Sequence, residues 1–224
     1  MPASYSCQVI SNQTAPYEKL TEVVQRHQQT VFQKPIASFN QQAFEQAQQR
    51  LAEHGGPLIL DSCCGVGQST RLLAAQFPKH FVLGIDRSVD RLERKLGKLP
   101  SNACLIRADL VDFWRLAAAA NWRPDYHFLL YPNPSPKKKD FKLRWHGHPV
   151  FKYLVALGGR LECRTNWPLY VIEMQQALKL MGVAANLQRL VVLDEPLTPF
   201  ERKYAKSGHD LWQLTAQLNA ALDD

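Results

Sequence analysis

The chain has 224 residues, 46% hydrophobic and 21% charged, with a formal net charge of +7 and a pI near 9.2. That length fits one large domain with an arm, or two small ones, and the basic balance favours an acidic partner, nucleic acid first. No stretch reaches the roughly 18 apolar residues of a membrane span, the N-terminus is polar, and Cys7, Cys63, Cys64, Cys104 and Cys163 include no Cys-x-x-Cys pair, so a soluble, cytoplasmic protein with free thiols is expected.

Residues 1–56 differ from the rest, with eleven glutamines up to Arg50. The spacing predicts a helix from Pro16 to Phe32. After Pro35 it predicts a second helix, capped by Ser38 and stopped by Gly55. Phe39, Ala43, Phe44, Ala47 and Leu51 form its apolar stripe. A helical arm, 1–56, packed on a main domain, 57–224, is expected, with disorder confined to the first fifteen residues. From Pro57 short apolar runs alternate with helical patterns: "PLILDS", "HFVLGID", "ACLIRAD", "YHFLLYP" and "RLECRTN" are separated by "QSTRLLAAQF", "SVDRLERKLGKL", "LVDFWRLAAAANW" and "PVFKYLVAL", and "RLECRTN" is followed by "PLYVIEMQQALKLM". Five strand–helix units predict an α/β fold, a mostly parallel doubly wound sheet with helices on both faces. "LQRLVVLD" and "LWQLTAQL" are expected to close it as an antiparallel hairpin over a short linker.

"LILDSCCGVGQST" puts Asp61 at the end of the first strand, then Gly65 and Gly67 in a loop that opens a helix. Glycine lets a ligand reach the backbone, and the helix start offers N–H groups. Asp86, followed by Arg87, ends the second strand, where a doubly wound fold presents a carboxylate to ribose hydroxyls. A nicotinamide cofactor would suit the same logic, but Thr70 stands where its third glycine belongs. No lysine follows the glycines, which excludes a P-loop. Asp61, Asp86 and Asp109 in this order resemble the Rossmann-like S-adenosylmethionine-dependent methyltransferases. That resemblance places Asp61 by the methionine amino group, Asp86 on the ribose and Asp109 beside the adenine. Cys63 replaces the usual first glycine of the loop.

The stretch "YPNPSPKKKDFKLRWHGHP" follows the fourth strand. Prolines on both sides fix the backbone around Asn133. With "RTNWPLY" and "LTPFERKYAKSGH", it resembles, in order and spacing, the bacterial tRNA guanine-N7 methyltransferase family over roughly residues 58–214. The resemblance implies S-adenosylmethionine as cofactor and tRNA as partner, with the variable-loop guanine as target. It implies Asn133 as the catalytic corner and as a cofactor contact, and Lys137, Asn166, Thr198, Phe200 and Glu201 as substrate contacts. Asn133 and Asn166 replace carboxylates of the family pattern, and Ser135 and Pro168 replace its tryptophan and a second acid. Glu201 is expected to accept from guanine N1–H and N2–H. Lys138, Lys139, Lys142 and Arg144 are expected on RNA phosphates, and Trp145, His146 or His148 against an extruded base.

The histidines lack metal-ligand companions, so no metal is expected. A monomer is expected, with a homodimer left open. Three other readings stay open: an RNA-binding homologue with weak or lost catalysis, a methyltransferase for a small acidic metabolite, and, more remotely, an oxidoreductase.

Overall fold

The computed structural model describes residues 6–94, 96–191 and 195–218. Seven strands form one sheet: β1 (Leu58–Ser62), β2 (Phe81–Asp86), β3 (Ala103–Arg107), β4 (Tyr126–Leu130), β5 (Gly159–Thr165), β6 (Ala185–Arg189) and β7 (Trp212–Leu218). Their order is β3-β2-β1-β4-β5-β7-β6. β1 to β5 run parallel, and β7 is antiparallel to both β5 and β6. The continuous apolar runs are explained by burial on both faces: every residue of β1 and β2 is buried. Chain order reverses between β1 and β4, which opens a crevice at the carboxyl edge there.

The helices are α1 (Leu20–Gln29), α2 (Ser38–His54), α3 (Gln68–Gln76), α4 (Val89–Leu92), α5 (Leu110–Ala119), α6 (Phe151–Ala156), α7 (Pro168–Leu180) and α8 (Pro199–Lys206). Alternate strand residues serve two cores of unequal size. Leu58, Leu60, Leu83, Ile85, Leu129 and Leu161 join a large one with residues of α1, α2, α5, α6 and α7. Ile59, Val82, Phe128 and Leu130 join a smaller one with Leu73, Ala74 and Leu197. Leu20, Val23, Val24, Ala43, Phe44 and Ala47 of the arm lie inside the large core. The arm is therefore part of the packed body.

Several local expectations are corrected. α1 begins only at Leu20 and ends at Gln29. Ser38 is the first helical residue of α2, not its cap; Ala37 holds that place without a side-chain bond. Phe39 is 50% exposed, and Asn40 takes the buried position beside it. Gly55 ends α2 as expected, at φ +66°. α4 keeps its Ser88 cap but has four residues, none of them buried, so no apolar face sustains a longer helix. β6 and β7 pair as expected, but α8 lies in their connection, which is no short linker. Residues 192–194 of that predicted strand, and residues 1–5 of the stretch where disorder was left open, fall outside the described residues.

Candidate active site

Asp61 lies fully buried near the end of β1. Its Oδ2 accepts from the Ser69 and Thr70 hydroxyls at 2.7 and 2.6 Å, while Oδ1 has no partner. Burial pushes the carboxyl up to about 6, against the lowering effect of the two hydroxyls. A buried, unpaired carboxylate oxygen is costly unless something cationic meets it. Thr70 also explains the missing third glycine. A Cβ added to Gly84 on β2 would stand 2.3 Å from Thr70 Oγ1, so the room for close helix–strand packing comes from the strand.

Cys63, Gly65 and Gly67 all adopt the left-handed region, at φ +64°, +60° and +74°. Cys63 keeps the glycine conformation of the position it occupies, which costs a residue with a Cβ about 1–2 kcal/mol. Burial pushes its thiol up to about 12, so it is no nucleophile. Beside Gly65 there is open space for a ligand. Gly67 is glycine for another reason than expected: a Cβ there would meet the Leu105 side chain at 2.7 Å, not a ligand.

Asp86 is 5% exposed at the end of β2. Its Oδ2 accepts the Gly65 N–H at 3.0 Å and its Oδ1 the Ser88 N–H at 2.9 Å. A carboxylate has about four acceptor sites, so two remain. Arg87 is exposed next to it. Asp109 caps α5 through the Val111 N–H at 2.9 Å. Its own N–H donates to Asn40 Oδ1 at 2.9 Å, and Asn40 Nδ2 donates to Asp112 at 2.6 Å. Asn40 of the arm thus holds the loop after β3. The apolar stripe gave no hint of it, because an asparagine on a buried face reads as a defect in that pattern.

After β4 the chain turns sharply, with Tyr131 at φ +51° and Ser135 at φ +43°. Asn133 between them is exposed, and its Oδ1 accepts the Ser135 N–H at 3.0 Å, a local turn bond. Its amide nitrogen has no partner among the described residues. Lys137, Lys138, Lys139 and Lys142 follow, all exposed, around a 3₁₀ turn over Lys138–Leu143. Buried Phe141 anchors that turn, with Tyr17 stacked on it at 4.5 Å.

Arg144 is not a phosphate ligand. It is fully buried, with Nη1 2.5 Å from Glu173 Oε2 and its guanidinium 4.7 Å over the Trp167 ring. Burial would raise the Glu173 carboxyl, but the His146 and Arg144 hydrogen bonds and charge hold it down at about 2. His146 is 1% exposed and bonded to Glu173; burial lowers its pKa, against the raising effect of the Glu173 carboxylate. Trp145 packs edge-on against Trp114 at 4.6 Å, and His148 against Phe32 at 5.6 Å. None of these three stands free as a stacking platform.

Asn166, after β5, lies 3.2 Å from His209 Nδ1, and His209 Nε2 lies 2.9 Å from the Ser6 carbonyl oxygen. A carbonyl only accepts, so Nε2 carries the proton and Asn166 donates to Nδ1. Thr198 is the N-cap of α8, its hydroxyl accepting the Glu201 N–H at 2.9 Å. Glu201 corrects the expectation of a base reader. It is 1% exposed, with both oxygens 3.1 Å from Arg164 Nη1 and Oε1 also accepting the Leu197 N–H. Phe200 is 42% exposed and stacks on Tyr204, which stacks on His209 at 5.3 Å. Tyr204 went unremarked in the sequence, though its i+4 spacing from Phe200 was visible there.

The acids and loops after β1, β2 and β3, the Asn133 corner after β4 and Asn166 after β5 thus meet at one edge of a parallel sheet. The sheet order defines a Rossmann-like α/β fold. Solved structures share the fold: "Structure of an Antibiotic Related Methyltransferase" at a TM-score of 0.60 and 13% identity, over 78% of this chain and 94% of that one. Another is a variant of the 16S rRNA (adenine(1408)-N(1))-methyltransferase from Catenulisporales acidiphilia with cosubstrate SAM, at 0.57 and 17%, over 79% and 93%. The model of a family described as "Putative methyltransferase" matches residues 55–214, and the chain belongs to that family. Similar proteins named tRNA (guanine-N(7)-)-methyltransferase occur in Burkholderia lata, 28% identical over 74% of this chain and 68% of that protein, and in Bordetella pertussis, 29% identical over 70% and 66%. The chain spans about two thirds of the length of these relatives. Among the described residues no helix is long and apolar enough to cross a membrane, and no cluster of ligand residues could hold a metal ion.

Proposed function

We propose that this chain transfers a methyl group from S-adenosylmethionine to guanine N7 in the variable loop of tRNA. The observation that carries the reading is the pairing, at one sheet edge, of an orphaned buried carboxylate oxygen on Asp61 with an exposed corner at Asn133 that runs straight into four exposed lysines. The first fits the ammonium of the cofactor's methionine part, and the second fits a large polyanionic substrate rather than an enclosed metabolite. The relatives' names agree with both.

When bound, S-adenosylmethionine supplies an electrophilic methyl on a sulfonium. Asp61 Oδ1 takes the ammonium. Gly65, with open space beside it, and the start of α3 give close backbone approach, while Gly67 lets the loop pack on Leu105. Asp86 uses its two remaining acceptor sites on the ribose hydroxyls. Asp109, at the start of α5, and the exposed Arg87 would border the adenine. Guanine N7 has a lone pair and no proton, so the chain's residues need only align the base. Proximity of this kind supplies up to roughly 7–11 kcal/mol of a barrier. Asn133 orients the base through its free amide nitrogen, a donor suited to guanine O6. Phe200 offers a ring face to a base. Asn166 and Thr198 act one step back, through His209 and the start of α8. Lys137, Lys139 and Lys142 hold phosphates.

The test is incubation with methyl-labelled cofactor and unmodified tRNA, followed by nucleoside mass spectrometry. Labelled 7-methylguanosine is the expected product; label in another nucleoside, or none, rejects the reading.

A further inference from the structure

The segment preceding α1 is strapped across the basic corner. The Ser6 N–H donates to Ser207 Oγ at 2.9 Å, and the Ser6 carbonyl accepts from His209. The Ser11 hydroxyl donates to the Pro136 carbonyl at 2.6 Å. Gln13 Nε2 and the Tyr17 N–H both donate to Glu173 Oε1, at 2.7 and 2.8 Å, and Gln13 Oε1 accepts from Arg144. Buried Glu173 and Arg144 therefore hold the strap and the end of the lysine turn in one frame. Between strap and turn lies an open cleft of about 470 Å³, lined by Asn12, Tyr17, Glu18, Lys137, Lys138 and Lys139.

The cleft has one acid against three cations. Glu18 Oε2 lies 2.8 Å from Lys138 Nζ, both side chains being about half exposed. Lys137 and Lys139 make no ion pair among the described residues. A carboxylate offers an ammonium the same pair of anionic oxygens as a phosphodiester. Tethered by its neighbours, Glu18 presents them at the place where the RNA backbone would arrive.

We propose that this cleft seats the RNA backbone and that Glu18 occupies the phosphate place on Lys138 until RNA displaces it. The strap is then one wall of the substrate groove and carries a built-in competitor. The inference rests on the reading of an RNA substrate given above. It adds a regulated subsite to it: one acid of the strap weakens RNA binding.

Equilibrium binding of unmodified tRNA to the full chain, titrated over a salt series, tests it. Glu18→Gln, at a half-exposed position, removes charge without changing shape. It should bind about 2- to 10-fold tighter at low salt, the range of an exposed ion pair plus relief of repulsion. Its log–log salt slope should steepen by up to about 0.9, one phosphate contact. In a Lys138→Ala background the same change should have less than about a 2-fold effect, since its partner is gone. Unchanged or weaker binding by Glu18→Gln overturns the proposal alone, with the methyl-transfer reading intact. A gain that persists undiminished without Lys138 also overturns it, because Glu18 then acts as general repulsion. Absence of tRNA binding and of methyl transfer in the native chain removes both readings.

Discussion

Asp61 is the residue whose chemistry is most exposed to test. Its folded pKa of about 6 stands above the ordinary 3.8, so the folded state holds the proton more tightly. Its contribution to stability is full below about 4 and is lost as pH rises through about 6. Cofactor binding runs the other way, because only the carboxylate pairs with an ammonium. Calorimetry should find affinity for S-adenosylmethionine highest near pH 7, where Asp61 is ionised and the cofactor's α-ammonium still holds its proton, and falling by up to about tenfold per unit well below 6; a flat profile from pH 7 down to pH 5 would remove Asp61 from that role. The acid and its place were legible because acid, glycine loop and strand end fall in one short stretch. The Ser69 and Thr70 bonds that leave one oxygen free were not, since those depend on how α3 sits on β1. The same limit explains Arg144 and Glu201. Each reads as a charged residue in a polar run, and each is buried by a partner 29 or 37 residues away.

At the scale of elements, the strand–helix alternation was legible because parallel strands buried on both faces leave unbroken apolar runs. The true extents of α1 and α4 were not, because neither length is set by propensity: no residue of α4 finds a core to bury in. The role of α2 was hidden as well. Through Asn40 it fixes Asp109, so Asn40→Ala should raise KM for the cofactor about 5- to 30-fold, the loss of one or two buried hydrogen bonds. The rate at saturating cofactor should stay within about threefold; an equal fall in both would make Asn40 a general structural residue. The lysine turn, α7 and the strap meet at Glu173, fully buried with Arg144. Glu173→Gln leaves that guanidinium without a counter-charge, which should cost about 3–5 kcal/mol in denaturant unfolding. A loss under 1 kcal/mol would mean that water already screens the pair.

For the whole molecule, a single sheet edge gathers Asp61, Asp86 and Asp109, the Asn133 corner and the lysines, and the arm reaches across to the same edge. On the function proposed above, this edge methylates guanine N7 by alignment, with an amide at Asn133 where the sequence resemblance implies an acid. During transfer, positive charge moves onto the base near Asn133. Asn133→Asp adds an opposite charge with almost no change of shape. A stabilisation of about 1–3 kcal/mol in the transition state would raise the rate about 5- to 150-fold. The deciding measurement is the single-turnover rate of 7-methylguanosine formation by the native chain and by Asn133→Asp on the same tRNA. Slow but real formation by the native chain, and faster formation by the variant, are the expected results. A native chain faster than the variant, or no 7-methylguanosine from either, would contradict this reading.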